Sequence, residues 1–87
     1  MDLFEPARAE NGLETIEGVV ERIVYENAES GFVVGRLRAA NHPELVPFTG
    51  HAMALMSGAT VRLAGHWVEN PKYGMEFRAD NYDIVAP

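Results

Sequence analysis

Five side chains of this 87-residue sequence have the chemistry to hold a chain of phosphates and bases. Arg36 and Arg38 stand two apart in Phe32-Val33-Val34-Gly35-Arg36-Leu37-Arg38, so on a strand they share one face. Lys72 and Tyr73 are neighbours in the turn Asn70-Pro71-Lys72-Tyr73-Gly74, and Arg78 follows it closely. Binding of single-stranded nucleic acid needs cations along the phosphates and aromatic faces on which bases stack. Tyr73 is the best stacking candidate, because it sits in a turn beside a lysine. Tyr25 and Phe32 flank an earlier turn. A plainer role competes at every position. Arg36 and Arg38 also fit the solvated face of a strand, and Tyr73 also fits a structural turn. Phe32, Trp67 and Phe77 are expected in the core, since a small barrel needs large side chains to fill it. Phosphate contacts from Arg36, Arg38, Lys72 and Arg78 would give log affinity a slope of about −3 against log salt on a single strand. Such binding is weak.

Other chemistries find little support. The sequence has no cysteine, so disulfides and thiolate metal sites are excluded. His42, His51 and His66 show no metal-ligand spacing. Ser30 and Ser57 lie beside glycines in turns, without a nucleophile-elbow pattern. Asp80 and Asp83 read as a solvated face. No Gly-x-x-x-x-Gly-Lys-Ser/Thr loop is present to cradle a nucleotide. These residues make no case for an enzyme, and none for a cofactor or metal.

Net charge is −6, but unevenly spread. Residues 1–30 hold eight acids and two bases, whereas residues 31–87 hold five of each. A strong stand-alone nucleic-acid binder usually carries a basic footprint, and none exists here in bulk. A local basic face remains compatible with the sequence. No apolar run approaches the roughly 20 residues of a membrane helix. Met1-Asp2-Leu3-Phe4-Glu5-Pro6 lacks the basic and apolar regions of a secretory signal. A cytoplasmic, membrane-free location is the expectation, and the lack of cysteine suits it.

The elements that must position these residues are strands. Residues 1–13 read as a flexible tail and 14–87 as one domain. Glu14 to Tyr25 is rich in β-branched residues and forms the first strand, with a phase slip near Gly18 to Val20 that predicts a bulge or bend. Ile16, Val19, Val20 and Ile23 also fit a helical period, but the β-branched composition argues for a strand. Further strands are predicted at Phe32–Arg38, Leu45–Gly50, Thr60–Val68 and Met75–Val85. Pro47 suggests an edge or irregular position for the third strand. The fourth strand puts Val61, Leu63, Gly65 and Trp67 on one face, and Phe77 and Ala79 of the fifth look inward. Residues 51–57, rich in Ala and Met, fit one helical turn or a loop, closed by Gly58. Met53, Leu55 and Met56 there suit either a docking patch or a plug for one end of the domain.

A straight first strand would be about 40 Å long. A domain of this size has a radius of gyration of about 12 Å and is therefore too narrow for it. The strand must bend. Five long strands with internal glycines fit an all-β, five-stranded OB-type barrel with the helical turn between the third and fourth strands. An SH3-like barrel or an open meander is the competing architecture. On an OB barrel, ligands meet the second and third strands and the first and fourth loops.

Two stretches add a resemblance. Glu14-Thr15-Ile16-Glu17-Gly18-Val19-Val20-Glu21-Arg22-Ile23-Val24-Tyr25, followed by Ser30-Gly31-Phe32-Val33-Val34-Gly35-Arg36-Leu37, resembles the start of RecD-like (RecD/TraA family) ATP-dependent DNA helicases. Gly65-His66-Trp67-Val68 with Pro71-Lys72-Tyr73-Gly74-Met75-Glu76-Phe77 is similar to the same N-terminal domain. The likeness spans about residues 14–84. It implies an OB-like accessory domain ahead of a motor of the exodeoxyribonuclease V alpha-subunit family. That motor uses ATP and magnesium, moves five-prime to three-prime on single-stranded DNA, and acts in repair and recombination. The implied partners are the downstream motor domains, single-stranded DNA and other repair proteins. The family's ATPase motifs have no counterpart in this sequence, so no catalytic residue is carried over. An ending at Pro87, just after the fifth strand, suits a domain boundary. The alternative is an autonomous single-strand-binding OB protein.

Overall fold

The computed structural model describes residues 13–51, 54–72 and 74–85. The expected tail therefore lies almost wholly outside the described residues, as do Met53 and Tyr73. Five strands form: β1 (Glu14–Glu26), β2 (Phe32–Ala39), β3 (Val46–His51), β4 (Thr60–Asn70) and β5 (Gly74–Ile84). They close a barrel in the order β1-β2-β3-β5-β4. Every ladder is antiparallel except β3–β5, which is parallel. This order is that of an OB barrel, and it excludes the open meander.

β1 does the bending. Its first half pairs with β4 (Glu14↔Gly65 to Val19↔Thr60) and its second half with β2 (Gly18↔Ala39 to Glu26↔Val33). Gly18 and Val19 belong to both ladders. A straight strand of 13 residues would span about 43 Å, more than the longest dimension of the molecule, 40 Å. At Gly18 β1 comes close against β2, since a Cβ there would lie 2.3 Å from the Arg38 carbonyl oxygen. The register shifts come later than the phase slip suggested, between Val20 and Arg22 and between Ile23 and Tyr25.

The core follows from alternation. Val33 and Leu37 of β2, Val46 and Phe48 of β3, Val61 and Leu63 of β4, and Phe77 and Ala79 of β5 are buried, with Val20 of β1. Trp67 packs on this cluster from one end, edge-on to Phe77 with ring centroids 5.2 Å apart. Pro47 tolerates its strand because the β5 ladder begins only after it, at Phe48.

The expected helical turn at 51–57 does not form among the described residues. His51 still belongs to β3, and a turn follows at Ser57-Gly58. The reason lies in the backbone hydrogen bonds. Gly58 N donates to Val20 O and Val20 N donates to Ala59 O, both at 2.8 Å, so the residues that close this segment are tied to β1. Leu55 packs against the core and helps to plug the barrel, whereas Met56 is exposed.

Candidate nucleic-acid interface

Burial of Val33, Gly35 and Leu37 turns the alternate side chains of β2 outward. Phe32, Val34, Arg36 and Arg38 therefore form one row. Phe32, expected in the core, is only half-buried and belongs to this outer row. Its ring lies 6.3 Å from Tyr25 and 5.1 Å from His51, centroid to centroid. Half of Tyr25 is exposed.

Two asparagines fix the arms on either side. Asn27 Oδ1 accepts from the backbone of Glu29 (2.9 Å) and Ser30 (3.0 Å), which shapes the β1–β2 turn. Its Nδ2 donates to the Tyr25 hydroxyl at 3.3 Å. In the β4–β5 turn, Asn70 Oδ1 accepts from Lys72 N at 2.8 Å, and Asn70 Nδ2 donates to Glu76 Oε1 at 3.1 Å. Between these arms runs a groove. One depression is lined by Tyr25, Phe32, Arg36, Pro47 and Asn70, among others. A second is lined by His51, Arg78 and Asp80. Phe32, Thr49 and Glu76 line both, so the two depressions are one surface.

The predicted site residues divide accordingly. Arg36 and Arg78 stand at the two depressions. Lys72 sits in the turn that forms one arm, exposed. Tyr73 lies outside the described residues. Arg38 is diverted, because its guanidinium pairs with Glu21. The pair is exposed, so its contribution to stability should be under about 1 kcal/mol. Arg38→Ala is accordingly expected to shift the thermal midpoint by only a few degrees and to leave any salt dependence of DNA binding unchanged. A clear fall in that dependence would return Arg38 to the interface.

Sequence reasoning missed His51, Thr49, Asn70 and Glu76 and misplaced Phe32. Parity was the available signal for Phe32, since the two-residue spacing that joins Arg36 to Arg38 also joins both to Phe32. His66 is outside the groove, paired with Asp80 at 3.2 Å. His42 lies over Trp67, ring centroids 5.5 Å apart. Among the described residues no group of three His, Asp or Glu could hold a metal ion. No helix there is long and apolar enough to cross a membrane.

A closed barrel of this strand order, with a groove across β2 and β3 between two hairpin arms, defines an OB-fold domain. Residues 13–87 match the family described as the OB-fold domain of the ATP-dependent DNA helicase YrrC, and the chain belongs to that family. No curated protein matches it. Among solved structures it is similar to the N-terminal domain of the PriB protein from Thermoanaerobacter tencongensis, described as dimeric. The two share 18% identity over 86% of this chain and 97% of that one, with a TM-score of 0.62. At that identity, what is shared is the fold.

Proposed function

We propose that this domain is an accessory OB module of a RecD-like helicase. In this reading it docks on the motor domains and makes weak contact with the single strand that the motor follows, five-prime to three-prime, in repair and recombination. The observation that carries the DNA contact is the groove, which sets the exposed ring of Tyr25 and the half-buried ring of Phe32 beside Arg36 and within one surface of Arg78. Bases stack on rings and phosphates follow cations, which is the division of labour a single strand requires. Nucleotide chemistry does not fit this domain, which offers neither a phosphate loop nor a metal cluster among its described residues. ATP and magnesium would act in the motor. The net charge of −6 argues against an autonomous binder.

Fluorescence anisotropy of labelled oligothymidylate, titrated across low and moderate salt, tests the reading. Contacts from Arg36, Lys72 and Arg78 give a slope of about −2 in log affinity against log salt. Binding should be measurable at low salt and faint at moderate salt. An absence of binding at low salt would reduce the domain to docking alone.

A further inference from the structure

The two buried polar side chains among the described residues, Thr49 and Glu76, both line the groove. Phe77 points into the core, so Glu76 stands on the outer face of β5. It is nevertheless only 8% exposed. The acid is thus buried at the floor of the groove and not inside the barrel. Thr49 lies on the outer face of β3 by the same parity, because Phe48 is in the core.

A surface that met phosphates alone would have no use for a carboxylate at its floor, since like charges brought together are costly. A buried carboxylate also has to be satisfied, and it offers about four lone-pair sites. Asn70 Nδ2 donates to Oε1 at 3.1 Å. No other hydrogen bond or ion pair to Glu76 forms among the described residues. Asn70 therefore steadies the carboxylate and leaves Oε2, with a second lone pair on Oε1, for a donor from outside.

Base edges carry such donors. In a single strand the Watson–Crick edges are open to side chains. Guanine presents N1–H and its N2 amino group side by side, two donors for two carboxylate oxygens. Cytosine and adenine each set an acceptor nitrogen beside their one amino group. Thymine sets its single N3–H between two carbonyl oxygens, which a carboxylate repels.

We propose that Glu76 reads guanine in the single strand, its carboxylate accepting from N1–H and N2–H of a base turned edge-on into the groove. This rests on the DNA-contact reading above and adds to it a specificity-determining residue. The same charge turns phosphates away from the floor and toward the cations that line the groove, so base and backbone are sorted to opposite sides.

The test compares three oligonucleotides of equal length at low salt: oligothymidylate, the same strand with one central guanine, and the same strand with hypoxanthine there. Hypoxanthine keeps N1–H and lacks the N2 amino group. Wild type should bind the guanine strand about tenfold more tightly than oligothymidylate, and hypoxanthine should lose most of that gain. E76Q, which replaces one acceptor by a donor, should bring the guanine-to-thymine ratio near one, lowering affinity for the guanine strand and raising it for oligothymidylate. A merely structural role for Glu76 would lower both affinities together and leave the ratio as in wild type. The hypoxanthine comparison needs no variant, so the proposal stands or falls even if E76Q does not fold. Equal binding of all three strands by wild type would overturn the guanine site while leaving the groove reading intact. A wild-type ratio retained in E76Q would remove Glu76 as the reader. No binding of any strand by wild type would overturn the DNA reading, and the guanine site with it.

Discussion

Gly65→Ala should lower the thermal midpoint, read by circular dichroism during a thermal melt, by about 15 °C or more. A Cβ at Gly65 would lie 1.9 Å from the Arg78 carbonyl oxygen and 2.9 Å from the Ala79 Cα. Both atoms are backbone, so no rotamer change relieves the collision. β4 and β5 must separate at the register shift between Ala64 and Gly65, beside the buried Leu63 and Phe77. Overpacking of this kind costs about 3 kcal/mol. A domain of this length commonly has about 5–10 kcal/mol in total. Gly35→Ala offers a contrast, because a Cβ there meets the Phe48 ring first, at 2.5 Å, and backbone only at 3.1 Å, at the Arg22 carbonyl oxygen. Combining it with Phe48→Leu should recover part of the loss, whereas no side-chain change should rescue Gly65→Ala. A Gly65→Ala protein that melts within a few degrees of wild type would refute the close-approach argument.

The largest functional effect is expected from the Tyr25→Ala, Phe32→Ala double variant. Each base stacked on a ring contributes about 1–3 kcal/mol, so loss of both rings should weaken oligothymidylate binding by roughly 30-fold or more. The salt slope should stay at the wild-type value, because neither ring carries charge. The fold should persist, since neither ring is among the fully buried side chains. Wild-type affinity in the double variant would rule out the rings as a platform. A flattened slope would mean that the arginines had lost their positions as well.

Much of the barrel was legible in the sequence because local rules and global geometry agree. Gly18 marks the bend since no other residue fits so near the Arg38 carbonyl, and strand length against domain width demanded a bend somewhere. The bulges were less legible. The register of β1 against β2 sets Ile23 opposite Gly35 and Glu26 opposite Val33, which no local pattern states. The segment after His51 fitted a helical turn or a loop from its Ala and Met content, and Gly58 and Ala59, which close it, are bonded to Val20, far away in sequence. At the candidate groove, charge and parity pointed to Arg36 and Arg78, and both line it. Arg38 is engaged by Glu21, two residues along β1 from its register partner Val19, a contact that no local pattern states. Phe32 was misplaced because size suggested the core where parity dictated a half-buried place in the outer row.

The barrel is joined between β3 and β5 by a ladder of two residue pairs, Phe48↔Phe77 and Thr49↔Arg78. In mechanical terms the sheet is a ribbon fastened by a narrow clasp. The candidate groove crosses that clasp, since Phe32 and Thr49 lie on one side of it and Glu76 and Arg78 on or beyond the other. A strand bound there would span the fastening. Ligand binding and closure of the ribbon are then thermodynamically linked, so that tension opening the clasp would release the ligand, and the ligand would stiffen the clasp.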